Sequence, residues 1–239
     1  MKKFYITGTS SGIGKALAEA VLEEGHYVTG FARRNTISHP RYRHITVDLS
    51  DLDDYSGIGF DGLREGIDEV VLVNNAGSLG SVKPVAHINP RRTADAYHLN
   101  LVAPSLLSKL FLENLSESDL PKTIINISSG AGSYPVKSWS VYCASKAGLD
   151  MFSEVLKLDH PEVRCHAVSP GIVDTEMQGE IRRTRAEDFP DLQRFVEYKQ
   201  NDELSPVSEV AQKLLHLINN PESFPEVKIN LRHIDLPKS

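Results

Sequence analysis

Short runs of adjacent apolar residues alternate along this chain with longer stretches in which apolar residues recur every three or four positions. Lys3-Phe4-Tyr5-Ile6-Thr7 reads as a first strand. Between Ile13 and Glu24, the residues Ile13, Leu17, Ala20 and Val21 share one helical face, and Gly25 is a stop signal. Tyr27–Ala32 and Arg43–Val47 read as the next two strands. Glu69–Asn74 (EVVLVN) reads as a fourth, apolar enough to be covered on both faces. Asn89-Pro90 places a capping side chain before a proline in the first turn, so a helix should begin there and run to about Asn114. Thr123–Ile127, Val163–Val168 and Val227–Leu231 complete the strands, and Ser140–Leu158 and Val207–Ile218 complete the helices.

Repeated strand–helix–strand units with apolar strands predict an α/β fold, a doubly wound parallel sheet of the Rossmann type. Only ten residues, Pro40 among them, separate Ala32 from Arg43. A parallel crossover usually takes a dozen or more, so the helix expected there is replaced by a turn or much reduced. No repeat, low-complexity tract or linker interrupts the pattern, and residues 1–239 read as a single domain. The polar segment Gly179–Ser205 stands out as the candidate for a mobile lid.

Composition narrows the functional classes. A 239-residue chain with 40% hydrophobic and 24% charged residues can bury one substantial core. Its net charge of −6, with no basic run longer than Arg33-Arg34 or Arg182-Arg183, argues against a nucleic-acid partner. The two cysteines, Cys143 and Cys165, form no CxxC pattern and read as reduced thiols. The histidines show no metal-ligand spacing, so no metal site is expected. The apolar run Phe4–Ile6 is too short for a signal peptide, and no stretch approaches the roughly 20 apolar residues that span a bilayer. A cytoplasmic protein with no membrane association is the expectation.

Three groups of residues carry candidate chemistry. Thr7-Gly8-Thr9-Ser10-Ser11-Gly12-Ile13-Gly14 lies between the first strand and first helix, where glycines allow backbone N–H groups to approach a pyrophosphate. At the end of the second strand, Ala32 occupies the place where an NAD-selective site puts a carboxylate, and Arg33 and Arg34 follow. Guanidinium groups suit a ribose 2′-phosphate, which points to NADP(H); two solvated surface arginines are the alternative. Tyr142 and Lys146, at i and i+4 in YCASK, share a helical face, and an ammonium there favours the phenolate and lowers the tyrosine pKa.

In order and spacing these motifs resemble those of the short-chain dehydrogenase/reductase family over nearly the whole chain, about Lys3 to Leu231. TGTSSGIG resembles the family's glycine loop, Asn74-Asn75-Ala76-Gly77 its NNAG motif, and Ile125-Asn126-Ile127-Ser128-Ser129 the strand ending in its serine. YCASK resembles YxxxK, and Pro170-Gly171-Ile172-Val173-Asp174-Thr175 the PGxxxT loop. The resemblance implies an NADP(H)-dependent oxidoreductase acting on a small-molecule carbonyl substrate. It implies Tyr142 as proton donor, Ser129 as the group orienting the carbonyl oxygen, and Lys146 as the residue that lowers the tyrosine pKa and binds the nicotinamide ribose. Asn100 would hold a relay water. Ser128 is the rival to Ser129, and a polar residue inside a kinked helix is the alternative for Asn100.

For the cofactor, the resemblance implies contacts from Gly8, Ser10, Ser11, Gly12, Ile13, Gly14, Arg33, Arg34, Asn75, Ala76, Gly77, Tyr142 and Lys146, and from Pro170, Gly171, Ile172, Val173 and Thr175. Asp48-Leu49 would lie beside the adenine, unless Asp48 caps the turn at Ser50-Asp51. The stretches DTEMQ at Asp174–Gln178 and KAGLDMF at Lys146–Phe152 are similar to those of sepiapterin reductases and bacterial benzil reductases. Trp139, Met177 and Asn230 are then candidate substrate contacts. Asn230 falls where a pterin-binding enzyme has a carboxylate, which favours a 1,2-dicarbonyl over a pterin. A homodimer is implied, pairing the apolar faces of Leu99–Leu112 and Tyr142–Val155. An oxidative alcohol dehydrogenase and a silent dinucleotide-binding regulator are the other functional classes.

Overall fold

The computed structural model describes residues 1–61 and 63–237. Seven strands form one parallel sheet: β1 (Lys2–Thr7), β2 (Tyr27–Ala32), β3 (Tyr42–Thr46), β4 (Glu69–Asn74), β5 (Lys122–Ile127), β6 (Arg164–Ser169) and β7 (Lys228–Asn230). Their order is β3-β2-β1-β4-β5-β6-β7. Strand addition reverses direction between β1 and β4, so the loops leaving those two strands part there and open a crevice.

Alternation along β1 builds a core on each face. Phe4 and Ile6 join Leu17 and Val21 of α1 (Gly12–Glu23) and Leu214 of α7 (Val207–Asn219). Tyr5 faces the other way, toward Leu107 and Phe111 of α3 (Ala103–Asn114) and Leu156 of α4 (Ser140–Asp159). Expected strands and helices agree with these bounds to within about two residues. The turn between β2 and β3 carries no helix; it lies against the glycine loop, where Thr36 Oγ1 donates to the Ser10 carbonyl at 3.2 Å.

Three expectations change. The helix starting at Asn89, whose Oδ1 accepts from Arg92 N at 3.0 Å, is not continuous. It runs as α2 (Pro90–Tyr97), opens into a π-helical turn at His98–Val102, and resumes as α3. The last strand stops at Asn230, because Leu231 begins a 3₁₀ turn. The polar 179–205 segment, the candidate lid, has no element assigned from sequence but holds most of α5 (Glu176–Arg182) and all of α6 (Leu192–Gln200). Its two ends are tied together: Ser205 N donates to Ile172 O at 2.9 Å and Asp174 N to Ser205 O at 3.0 Å.

Candidate active site

Thr7, the last residue of β1, binds the NNAG loop directly. Its hydroxyl accepts from Asn75 N at 2.8 Å and Ala76 N at 2.9 Å, and its carbonyl accepts from Asn75 Nδ2 at 2.9 Å. Gly8 then turns with φ +73°, a conformation L side chains rarely adopt. At Gly14 a Cβ would stand 2.3 Å from Asn75 Nδ2 and 2.5 Å from Gly8 O, so only glycine lets α1 start so close to the sheet. Ser11 is the N-cap of α1, yet its side chain makes no capping bond, leaving the first-turn N–H groups to another acceptor. Ser10, Ser11, Gly12 and Ile13 are half-buried around this helix start. A glycine cradle below uncapped amides fits a pyrophosphate.

Arg33 and Arg34 are exposed just beyond the buried Ala32. Asp48 Oδ1 accepts from Ser50 Oγ at 2.7 Å and Ser50 N at 3.0 Å, the turn-capping arrangement open to it from sequence. The Ser50 hydroxyl chiefly holds the Asp48 carboxyl below its ordinary range, partial burial opposes this, and Arg33 adds a smaller pull downward. Leu49 beside it is buried. On the far side of the crevice, a Cβ on Gly12 would lie 3.5 Å from Thr175 Cγ2, so the loop Pro170–Thr175 meets the glycine loop.

Asn100, Ser129 and the pair Tyr142 and Lys146 come from three sequence regions to one end of the sheet. Tyr142 and Lys146 occupy successive turns of α4, with Nζ 5.8 Å from the phenol ring centroid. Lys146 Nζ donates to Ile127 O at 2.7 Å. A Cβ on Gly77 would meet Asn100 Oδ1 at 3.2 Å and Lys146 Nζ at 3.7 Å, so that glycine keeps the amide and the ammonium within one small space. Asn100 is fully buried in the π-helical turn. Its Oδ1 accepts from Ser78 N at 2.8 Å, and its Nδ2 donates to Ser78 O at 2.8 Å and Ser145 Oγ at 3.0 Å. Asn100 therefore clamps the loop after β4 to α4 from within a break in the helix, the setting its alternative reading gave it.

The two serines at the end of β5 separate by partner. Ser128 is buried and donates to Asp150 of α4. Ser129 stays half-buried, accepts from Ala131 N at 3.2 Å, and acts on the Tyr142 phenol rather than on Asp150. Burial pushes the Tyr142 phenol up to about 12, the Ser129 hydrogen bond draws it partly back, and Cys143 pushes slightly upward. Burial also lowers Lys146 to about 8, opposed by Asp150. Desolvation, not the lysine charge, thus dominates the phenol within the protein's own groups, which alters the electrostatic expectation for this pair.

Above Tyr142 sits an aromatic wall. Trp139 is edge-to-face with Tyr142 (centroids 5.5 Å apart), stacked on Phe189 (5.5 Å) and beside Phe195 (5.4 Å). Leu79, Ile181 and the partly buried Met177 complete the cluster. Trp139 and Met177 thus belong to the wall beside Tyr142. Asn230 does not: it is exposed at the end of β7, and its Oδ1 accepts from Arg232 N at 3.1 Å. Phe189 and Phe195 escaped sequence reading because they sit in a polar stretch; their spacing about Leu192 is the only signal they give. A separate cleft of about 510 Å³ lies between Gly80–Lys83, Arg92 and Arg183–Asp188, and Tyr142 does not line it.

A doubly wound parallel sheet with this serine, tyrosine and lysine at its crevice defines a Rossmann-type oxidoreductase. The short chain dehydrogenase family model matches residues 2–186. A Bacillus subtilis benzil reductase forming (S)-benzoin is 36% identical over 228 residues, covering 91% of this chain and 93% of that enzyme. Rattus norvegicus sepiapterin reductase is 33% identical over 236 residues, covering 89% of each. Among solved structures, a short-chain dehydrogenase/reductase from Saccharomyces cerevisiae superposes with a TM-score of 0.80 at 26% identity, covering 97% of this chain and 96% of that one. The chain belongs to the short-chain dehydrogenase family, on the side of the benzil and sepiapterin reductases. That family binds a nicotinamide dinucleotide.

Proposed function

We propose that this protein is an NADPH-dependent carbonyl reductase that reduces one carbonyl of a 1,2-dicarbonyl of the benzil type. The observation that carries this reading is the convergence of Ser129, Tyr142, Lys146 and Asn100 beside an apolar wall. The glycine cradle at Gly8–Gly14 would hold the pyrophosphate, with Asn75, Ala76, Gly77 and the Pro170–Thr175 loop toward the nicotinamide, and Asp48 and Leu49 toward the adenine. Arg33 and Arg34, with no carboxylate at position 32, favour a 2′-phosphate.

When bound, the reduced nicotinamide supplies a hydride to the carbonyl carbon. Ser129 Oγ–H and Tyr142 Oη–H hydrogen-bond the carbonyl oxygen and draw charge onto it. As the oxygen gains the electron pair of the C=O bond, Tyr142 transfers its proton there, leaving an alcohol. Lys146 keeps positive charge beside the resulting phenolate, and Asn100 fixes the surrounding backbone. A diketone needs these two hydroxyls at one oxygen and apolar contact elsewhere. A pterin brings several further polar groups, and each left unpaired costs about 1–3 kcal/mol.

The apolar stripe of α4 supports a homodimer, and we take the protein to be a cytoplasmic enzyme; among the described residues no helix is long and apolar enough to cross a membrane. Following NADPH absorbance with benzil, sepiapterin and a secondary alcohol plus NADP⁺ tests the reading. Benzil should be turned over best. Tyr142→Phe should slow turnover by about 100-fold while NADPH still binds. Absence of carbonyl reduction by the wild type, or a near-normal Tyr142→Phe, overturns it.

A further inference from the structure

Trp139 carries a feature that packing does not require. Its indole is 7% exposed, and Nε1 is buried with no hydrogen-bond partner. An indole N–H can only donate, so an acceptor alone can satisfy it, and a buried donor left unpaired is costly. The wall around it is otherwise built from Phe189 and Phe195, which pack without such a liability. Other buried unpartnered polar atoms among the described residues include Asn74 Oδ1, Gln178 Oε1 and Arg182 Nη1. Trp139 alone of those residues is in ring contact with Tyr142.

The backbone also holds this side chain in a chosen place. Ser138, immediately before it, sits at φ +65°, a left-handed conformation that costs a non-glycine residue energy. Its carbonyl is held there by Lys83 N at 3.0 Å. Trp139 then forms the N-cap of α4, accepting from Cys143 N at 2.8 Å through its backbone. The indole is thus fixed at the head of the helix that carries Tyr142. With ring centroids 5.5 Å apart, the indole borders the place of a ligand held by the phenol.

In a vicinal dicarbonyl, Ser129 and Tyr142 serve the oxygen being reduced. The second oxygen lies on the adjacent carbon and enters the same apolar wall, where it needs a donor. We propose that Trp139 Nε1–H hydrogen-bonds this second, unreacted oxygen and thereby selects 1,2-dicarbonyls over simple ketones. Trp139 is a specificity residue, not a proton donor. This inference rests on the carbonyl-reductase reading and specifies the substrate recognition of that same site.

A matched pair of ligands isolates the contact: benzil, and deoxybenzoin, in which a methylene replaces one carbonyl. In Trp139→Phe, which keeps an aromatic ring against Phe189, kcat/KM for benzil should fall by about ten-fold more than that for deoxybenzoin. A second measurement needs no mutation. The chain has one tryptophan, so its indole N–H gives a single resonance in an ¹H–¹⁵N spectrum. With NADP⁺ present to block turnover, benzil should move that proton downfield and deoxybenzoin should not. Equal losses for both substrates in the variant, or an indole proton that responds identically to both ligands, overturns the proposal. These outcomes are separate from failure of the broader reading, which shows as absence of benzil reduction by the wild type.

Discussion

At Tyr142 the competition between burial and hydrogen bonding has a direction, and it fixes how the two reaction directions should respond to pH. The phenol is raised to about 12, so it stays protonated across neutral and mildly alkaline pH, ready to donate. Reduction needs that protonated form; oxidation of an alcohol needs the phenolate, which grows scarcer as pH falls below the phenol pKa. Lys146, lowered to about 8 by burial, loses its positive charge as pH rises through that value. Reduction should therefore hold through neutrality and decline above about pH 8, while oxidation rises toward alkaline pH. Initial rates in both directions across pH 6–10 check this; an oxidation optimum at neutral pH would contradict it. Cofactor choice belongs to the same scale. Ala32→Asp with Arg33→Ser adds a carboxylate that repels a 2′-phosphate and accepts from a 2′-OH, so the NADPH-over-NADH preference should fall by about ten-fold or more. Kd values for both cofactors, by fluorescence titration, measure it.

Between elements, the strands fastened to the crevice are joined by a chain of buried amides. Asn74 Nδ2 of β4 donates to Asn126 Oδ1 of β5 at 2.8 Å, and Asn126 Nδ2 to Ser153 Oγ of α4 at 2.8 Å. Asn126→Ala removes one hydrogen bond from each neighbour, while Asn74 Nδ2 keeps Ser108 Oγ at 3.4 Å and Ser153 Oγ keeps Leu149 O at 2.7 Å. Unfolding free energy should therefore drop by about 1–3 kcal/mol in all. Urea unfolding reads this directly. The central strands were legible because parallel strands covered on both faces show nearly continuous apolar runs, as EVVLVN does. Asn89-Pro90 was legible through its capping chemistry. The π-helical turn was not: Asn100 opens the helix through contacts to Ser78 and Ser145, both distant in sequence. Nor were α5 and α6, where local charge hides helices whose apolar residues Met177, Ile181, Leu192 and Phe195 pack with Trp139 and its neighbours. The spacing of the tyrosine, lysine and glycine loop made them candidates from sequence, whereas what separates Ser129 from Ser128 is Asp150, twenty-two residues downstream of Ser128.

At the scale of the whole molecule, the outer face of α4 leaves large apolar side chains uncovered. Met151, Val155 and Leu158, spaced as one helical stripe, are 59%, 44% and 80% exposed. If a second copy covers them, Met151→Glu with Leu158→Glu places unpaired charges in that contact and should halve the sedimentation mass without unfolding the chain. A wild type that sediments as a monomer would refute the dimer. The aromatic wall has its own consequence for the enzyme as a machine working in solvent. Phe189 is fully buried on Trp139, and the phenol beneath is only 7% exposed. The segment bearing Phe189 is pinned at both ends through Ser205, so entry requires the span between those pins to swing as a body through water. Such motion is damped by solvent friction. The rate of substrate capture should accordingly fall as sucrose or glycerol thickens the medium, and a Phe189→Ala enzyme, with its latch removed, should lose most of that viscosity dependence.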